Sequence, residues 1–268
     1  MTRMHALTSD TPEDVRPGDA YVQSFARGLS VIRAFNARRA AMTLTEVADV
    51  SGLTRAGARR ILLTLVQLGY MTNEGRLFRL TPRILELGFA YLTSMPFWDL
   101  AEPIMESLAA EVHESCSATV LDDVDIVYVL RIPTGKIMSI NLGIGSRLPA
   151  YCSAMGRVLL AGLPDEQIDA VLKRSDLRAH TPLTLVDPVQ LKQAILDVRK
   201  QGWSLVNQEL ETGLVAISVP ILDRNGRTVA ALNLSGQAHR ITADQMRERL
   251  LPPLLAAADR INALMKRV

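Results

Sequence analysis

Residues 43–80 constrain the fold more than any other part of the chain, because turn signals divide them into two short amphipathic helices and a hairpin. Thr43 or Thr45 can cap the first helix, and Ser51-Gly52-Leu53 supplies a turn in which glycine readily takes the left-handed conformation. Thr54 can cap the second helix, and two β-like runs around an Asn-Glu-Gly-Arg turn follow it. This order predicts a winged helix-turn-helix, a shape that fits a helix into the DNA major groove.

The second helix of the pair has two chemically different sides. On a helical wheel its apolar stripe consists of Ala58, Ile61, Leu65 and Leu68, and we assign everything after Ile61 to the core. The candidate DNA contacts lie in the first two turns: Thr54, Arg55, Ala56, Arg59 and Arg60. Arginine can donate two hydrogen bonds to guanine or bind phosphate, and alanine permits close approach to a thymine methyl. The N–H groups at the capped end of the helix can bind a phosphate. The alternative for the arginines is ordinary solvated charge.

The surrounding segment is rich in arginine. Residues 21–95 contain ten arginines and no lysine against four acidic residues, a balance that suits a polyanion-binding module. Arg76 at the hairpin tip and Arg79 on its outward phase are candidates for the DNA backbone or minor groove, and Arg27 in the preceding helix is a further DNA-binding candidate. Ser24 is predicted to cap that preceding helix. The alternative for the hairpin arginines is simple exposure to solvent.

The rest of the chain divides by composition. Residues 1–20 are polar and predicted to be a disordered tail, residues 21–81 form the winged helix-turn-helix, and residues 82–96 form a linker helix. Thr81 caps that helix with proline at its first position, and its apolar stripe suits packing on a second copy. Residues 97–268 alternate two groups of strands, one of them including a strand at 137–142, with helices between and around them. This order predicts an α+β domain with an antiparallel sheet.

Two polar segments of this second domain are candidate ligand sites. Residues 143–157 place small residues and backbone N–H groups before a helix capped by Cys152 or Ser153, an arrangement that favours a small anion such as a carboxylate. Asn233 and Ser235 lie two apart and therefore share one face of a strand, where buried polar groups need partners. The alternatives are a tight structural turn for the first segment and a neighbouring loop as the partner for the second.

Catalysis, cofactors and metals find little support in the sequence. It contains neither G-x-S-x-G nor H-E-x-x-H, its four histidines are scattered, and its glycine spacing does not match a nucleotide-binding loop. The two cysteines form no C-x-x-C and are expected to be buried apolar residues. Apolar runs stay below the roughly 18 residues that a membrane span needs, and the N-terminal segment is not of secretory type, so we expect a cytoplasmic protein with no membrane partner.

Two motifs together carry a resemblance to a known family. The segments SFARGLSVIRAF, LTEVADVSGLTRAGARRILLTLVQLGY and GRLFRLTPRILELG look like the N-terminal domain of the IclR family of bacterial transcriptional regulators, and GIGSRLPAYCSAMGRVLLAGLP resembles that family's signature. The match runs from about residue 21 to the C-terminus. Within the family, the chain looks most like the regulators of aromatic-acid catabolism in the β-ketoadipate pathway.

The resemblance implies a GAF-like effector domain and a dimer, or dimer of dimers, on palindromic double-stranded operator DNA. The effector would be a small organic acid such as protocatechuate, 4-hydroxybenzoate or β-ketoadipate, and an activator would also contact RNA polymerase. The positions implied to contact the effector are Gly145, Arg147, Leu148, Pro149, Ala150, Tyr151, Ser153, Ala154, Met155, Asn207, Glu209, Ala216, Asn233 and Ser235. Asn207, Ala216 and Asn233 depart from the acids, cysteine and serines that some members carry. Arg147 either supplies a counter-charge to a carboxylate or points outward.

A competing interpretation remains at this stage. The chain would then be an enzyme or a small-molecule-binding protein whose N-terminal helices serve oligomerisation. The arginine face of the second helix separates the two interpretations, because an oligomerisation module has no need of it.

Overall fold

A computed structural model describes residues 21–36, 38–93, 97–134 and 142–266. The chain divides into two compact units, Met1–Tyr91 and Leu92–Val268. The boundary falls inside the segment predicted to be the linker. The tail predicted for residues 1–20 lies outside the described residues, and so does the strand predicted for residues 137–142, except for Leu142, which is not in a strand.

The first unit is a winged helix-turn-helix, as predicted. Its helices are α1 (Gln23–Ala34), α2 (Leu44–Ser51), α3 (Arg55–Gln67) and α4 (Leu85–Thr93), the last preceded by one 3₁₀ turn, Pro82–Ile84. Its strands are β1 (Met42–Thr43), β2 (Met71–Glu74) and β3 (Leu77–Leu80), which form an antiparallel sheet in the order β1-β3-β2. The core lies between α1, α2, α3 and this small sheet.

Local capping sets the ends of the central helices. Thr43 and Glu46 form a reciprocal capping box at the start of α2, and Gly52 ends that helix with φ at 66°. Thr54 accepts a hydrogen bond from the backbone N–H of Gly57 at 3.1 Å and so caps α3. The cap predicted at Ser24 is wrong, because α1 already begins at Gln23 and has no side-chain cap.

The apolar stripe of α3 is only partly buried. Ala58 and Leu65 of the stripe are core residues, and so is Leu62, which is not in the stripe but was assigned to the core because it follows Ile61. The assignment of all residues after Ile61 to the core is wrong, since Leu68 is 52% exposed. A wheel identifies an apolar side of a helix but does not show how far along its length other elements cover that side.

The second unit is built on one six-stranded antiparallel sheet. Its strands are β4 (Ser115–Asp122), β5 (Asp125–Ile132), β6 (Arg147–Pro149), β7 (Ser204–Asn207), β8 (Leu214–Leu222) and β9 (Thr228–Gln237), in the order β6-β5-β4-β9-β8-β7. Its helices are α5 (Phe97–Val112), α6 (Ala154–Ala161), α7 (Asp165–Arg174), α8 (Pro188–Gln201), α9 (Ala243–Gln245) and α10 (Leu251–Met265), with a π-helical turn, Met246–Leu250, between the last two. The predicted α+β class is confirmed.

Two separate cores cover the two faces of this sheet. On one face α5 and α10 pack over alternate residues of β4, β8 and β9. On the other face α6, α7 and α8 pack over residues such as Ile126, Tyr128 and Ala231. The second face holds the polar residues Ser117, Asn233 and Ser218 and is therefore the side on which a ligand finds hydrogen-bonding groups.

Candidate functional site

The N-terminal end of α3 forms the candidate DNA-binding surface. Thr54, Arg55, Ala56 and Arg59 are exposed there, and none of the described residues of the first unit covers them. Arg76 and Arg79 are exposed on the β2–β3 hairpin. Among the described residues of this surface no acidic side chain pairs with these arginines, so their guanidinium groups remain available to phosphate or to base edges.

Two of the predicted DNA contacts lie elsewhere. Arg27 of α1 and Arg60 of α3 are exposed, but both line an apolar groove between α1, α3 and the start of α4. The groove encloses about 810 Å³, and its apolar lining is composed of Val22, Phe25, Leu29, Ile32, Ile61, Leu65, Leu68, Tyr70 and Leu87. Arg27 and Arg60 therefore have two possible roles: contact with DNA, as predicted, or contact with whatever occupies this groove.

A compact junction joins the end of α3 to the linker helix. The Arg83 guanidinium donates to the carbonyl of Leu68 at 2.9 Å, pairs with Glu86 and stacks over the Tyr70 ring. The Thr81 hydroxyl donates to the carbonyl of Gly69 at 2.6 Å. Thr81 is thus the N-cap residue by position, with Pro82 at the first helical position as predicted, but its side chain makes no capping hydrogen bond, because its hydroxyl bonds to Gly69.

In the second unit a small cavity lies between the sheet and the N-terminus of α6. Its walls are formed by Tyr128, Leu142, Leu148, Cys152, Ser153, Ala154, Met155, Val206, Leu210, Leu214, Ala216, Asn233 and Ser235. None of these described lining residues carries a charged side chain. The volume open to water molecules is about 30 Å³, which holds about two of them, since each needs about 10–15 Å³.

The polar groups of the cavity are neutral donors and acceptors. Asn233 accepts a hydrogen bond at Oδ1 from the Ser218 hydroxyl at 2.8 Å. Burial raises the pKa of the Tyr128 phenol to about 12, so this hydroxyl keeps its proton at neutral pH. The first turn of α6 adds backbone N–H groups that have no acceptor inside the helix. Such donors suit a carboxylate even without a cation.

Ser153 positions the start of α6. Its hydroxyl oxygen accepts from the backbone N–H of Gly156 at 3.0 Å, which makes it the cap that the sequence predicted. Gly156 must be glycine here, because a Cβ would collide with the backbone of Ala150. The backbone of the turn before α6 therefore packs directly against the first turn of the helix. This contact holds the N-terminal end of α6 at the cavity wall.

Half of the predicted effector contacts line this cavity. Leu148, Ser153, Ala154, Met155, Ala216, Asn233 and Ser235 are brought together there. Gly145, Arg147, Pro149, Ala150, Tyr151, Asn207 and Glu209 are not part of its lining.

Three of the residues outside the lining are committed to other partners. Arg147 pairs with Asp122 and Asp125 at the surface, and these carboxylates raise the pKa of its guanidinium. Of the two alternatives for Arg147, the structure supports the outward one, and the side chain supplies no counter-charge to the described cavity lining. Tyr151 donates its hydroxyl to the carbonyl of Arg178 at 2.7 Å. The third residue, Glu209, forms a buried ion pair with Arg157.

Sequence reasoning missed several apolar walls of the cavity. Tyr128, Leu142, Val206, Leu210 and Leu214 line it but were not predicted, and Cys152 was predicted only as part of the 143–157 segment. Strand periodicity gave a usable signal for two of them. Val206 pairs across strands with Ala216, and Tyr128 lies two residues from the buried Ile126 on the same face of β5.

Family comparisons agree with this two-part architecture. Residues 24–75 match the IclR helix-turn-helix domain, and residues 89–263 match the domain described as "Bacterial transcriptional regulator IclR C-terminal". A relative from Pseudomonas putida, the Pca regulon regulatory protein, is 44% identical over 257 residues, which are 96% of this chain and 86% of the relative.

Two solved structures are also similar. A transcriptional regulator from Rhodococcus sp. RHA1 is 48% identical with a TM-score of 0.83, and the match covers 92% of this chain and 99% of that one. The inducer-binding domain of PobR from Acinetobacter, solved as a double mutant with 3-hydroxybenzoic acid, is 30% identical with a TM-score of 0.59. That match covers 62% of this chain and 97% of the other.

Proposed function

This chain belongs to the IclR family of bacterial transcriptional regulators, and on that premise we propose that a small aromatic acid controls its binding to operator DNA. The competing interpretation as an enzyme fails, because both domain matches and the relatives are transcriptional regulators. The observation that carries the proposal is the cavity under α6, which combines apolar walls with neutral donors. A protein that regulates bacterial genes in this way works in the cytoplasm.

The chemistry of the cavity fits an aromatic monocarboxylic acid. Its carboxylate meets the N-terminal end of α6, Asn233 and Ser235, while its ring lies against Leu148, Met155 and other apolar walls. A hydroxyl on the ring finds a partner in the phenol of Tyr128. A dicarboxylate such as β-ketoadipate brings a second charge, for which the described lining offers no cation. The similar inducer-binding domain that was solved with 3-hydroxybenzoic acid supports this ligand class.

The small volume of the cavity supports a regulatory role. Space for about two waters does not accept an aromatic ring, so an effector has to displace wall residues when it binds. The residues between β7 and β8, which include Leu210, are the least regular part of the wall. A ligand that binds an expanded form better than the closed form shifts the population between them, and this shift is what a regulator needs.

The DNA-binding proposal rests on α3. Arg55 and Arg59 contact base edges or phosphate in the major groove, Thr54 and Ala56 allow the helix end to approach closely, and Arg76 and Arg79 reach the flanking backbone. One such helix makes few contacts, so a specific operator requires two copies. A palindromic operator then matches the two-fold symmetry of a homodimer.

We place the dimer contact of the first unit in its apolar groove. Phe25 is 68% exposed and Leu87 is 53% exposed, and both lie in or at the edge of the groove. A monomer rarely leaves such a patch open to water. A second copy that inserts its own α1 or α4 covers the patch and fixes the distance between two α3 helices. A dimer of dimers, and contact with RNA polymerase in the case of an activator, extend the same proposal.

A thermal-unfolding screen tests the ligand proposal. 4-Hydroxybenzoate, protocatechuate, 3-hydroxybenzoate and β-ketoadipate are each added to the full-length protein. A ligand at 100 times its dissociation constant adds about 2.7 kcal/mol to the free energy of unfolding, which raises the midpoint measurably. We expect at least one aromatic acid to stabilise the protein. Stabilisation by β-ketoadipate alone, or by none of the four, contradicts the assignment to aromatic acids.

A further inference from the structure

A row of buried polar side chains crosses the sheet beneath the cavity. Ser204 of β7 pairs with Ser218 of β8, Ser218 pairs with Asn233 of β9, and Asn233 pairs with Ser117 of β4. Their relative exposures are between 0% and 2%. Four neighbouring buried polar residues on the cavity side of a sheet are costly unless their hydrogen bonds are satisfied or used by a ligand.

Ser218 orients the side chain of Asn233. Its hydroxyl donates to Asn233 Oδ1 at 2.8 Å, and both side chains are buried. Because Oδ1 is engaged by Ser218, the Nδ2 amino group is the end of this cavity-lining side chain that is left for a ligand. An asparagine amide has a donating end and an accepting end of nearly the same shape, so a neighbour has to decide which end faces the ligand.

The opposite orientation of the amide is unfavourable. It would turn Nδ2 toward Ser218, whose oxygen would then accept, and the hydroxyl proton would lose its acceptor. Among the described residues, Ser218 makes no other side-chain hydrogen bond. A buried donor without a partner is unfavourable, and its usual cost biases the amide toward the observed orientation by about 5-fold to 160-fold.

We propose that Ser218 makes the cavity selective for a carboxylate over the corresponding carboxamide, by holding the Asn233 amino group toward the ligand. The inference rests on the proposed function, since it concerns how the same cavity recognises an acid. The ligand's acid group faces Asn233 Nδ2 and the first N–H groups of α6, at Ala154 and Met155. Both oxygens of a carboxylate can accept hydrogen bonds from these donors. A carboxamide has one oxygen and one NH2 group, so its NH2 group would face one of these donors instead of accepting from it. Ser218 is a positioning residue, because it lies outside the lining and acts through Asn233.

Calorimetric titration with matched ligands tests this proposal. The full-length wild-type protein is titrated with 4-hydroxybenzoate, with protocatechuate and with the carboxamide of each. We expect the wild type to bind at least one acid at least tenfold more tightly than its carboxamide. In Ser218→Ala the amide of Asn233 turns freely, and the acid-to-amide ratio is expected to fall by about tenfold.

Two further variants make the test specific. Ser204→Ala removes a buried hydroxyl from the same row without touching the Ser218–Asn233 hydrogen bond, and its acid-to-amide ratio is expected to match the wild type. Asn233→Asp places a carboxylate against the ligand, so it is expected to prefer the carboxamide, and a preference for the acid in this variant overturns the placement of the Asn233 amino group against the ligand even if Ser218→Ala does not fold. A ratio that is unchanged in Ser218→Ala, or equally reduced in Ser204→Ala, overturns the role of Ser218 alone. A wild type that binds neither acid overturns the proposed function together with this inference.

Discussion

Arg157 and Glu209 form a bidentate ion pair inside the effector domain, with Nη1–Oε1 at 2.7 Å and Nη2–Oε2 at 2.6 Å. Their side chains are 7% and 13% exposed. The same carboxylate accepts from the backbone N–H of Leu185, and Arg157 also donates to the carbonyl of Tyr151. The pair therefore ties α6 to the chain on both sides of the cavity. Glu209 directly precedes the wall residue Leu210, so it positions that wall without lining the cavity.

Replacing Glu209 by glutamine should destabilise the protein strongly. The change leaves the Arg157 charge buried without its partner, and breaking such a pair costs about 3–5 kcal/mol. We expect a lower midpoint in urea unfolding and weaker binding of the acid, because Leu210 loses its anchor.

A matched control is available in the same unit, between α7 and α8. Asp165 pairs with Arg199 at 2.6 Å, but these side chains are 56% and 38% exposed. Asp165→Asn makes the same chemical change at a hydrated pair and should lower the urea midpoint far less than the change at Glu209 does. Equal losses for the two variants would show that burial of the Glu209 pair has no special effect.

Arg59 on the outward side of α3 should carry part of the DNA affinity. We expect Arg59→Ala to weaken operator binding by about 1–3 kcal/mol if the side chain reads a base, with relaxed preference at that position. Fluorescence anisotropy with labelled operator DNA measures the change. Arg33→Ala removes an exposed arginine from the last turn of α1 and serves as the control. If both variants bind as the wild type does, the assignment of α3 to the major groove is wrong.

The caps of α2 and α3 separate stability from DNA binding. Thr43 and Thr54 each accept a hydrogen bond from a backbone N–H in the first turn of their helix. Thr43→Ala and Thr54→Ala should each lower the free energy of unfolding by about 1 kcal/mol. Only Thr54→Ala should also weaken operator binding, since Thr54 lies on the proposed DNA surface. A matching loss of DNA affinity in Thr43→Ala would assign both effects to stability.

The two buried thiols should lower the free energy of unfolding at high pH. Burial raises the pKa of Cys116 and of Cys152 from 9.0 to about 12. Between those values the unfolded chain releases thiol protons that the folded chain retains, so rising pH favours unfolding. The free energy of unfolding should fall by roughly 1.4 kcal/mol per pH unit for each thiol. Urea unfolding at pH 8 and pH 10.5 measures this slope, which the double Cys→Ala variant should reduce. An equal slope in that variant would contradict the assignment.

Local signals explain why the first unit was predictable. The cap at Thr54, the left-handed Gly52 and the hairpin all depend on residues within a few positions of one another. The exposure of Leu68 was not predictable in this way, because it depends on where neighbouring elements stop covering α3. The described part of the first unit leaves an apolar groove open, although the apolar stripe of a helix normally packs into a core.

The cavity was predictable where strand alternation governs it. Ala216 and Ser235 are direct cross-strand partners, and Asn233 shares their face, so period-two reasoning brings them together. The sequence left the orientation of Arg147 open, because its partner Asp122 is 25 positions away in the chain. The role of Ser218 was equally invisible, since only the pairing of β8 with β9 sets its hydroxyl beside the amide of Asn233.

The central claim is that one small acid, bound under α6, changes the affinity of α3 for operator DNA. The most direct test measures both events in one sample, by adding the acid selected in the thermal screen to full-length protein and labelled operator. We expect the operator dissociation constant to change at least fivefold, with a midpoint at the acid's own dissociation constant, and Asn233→Asp to abolish the change while binding DNA normally. Tight binding of the acid with an unchanged operator dissociation constant would contradict the account.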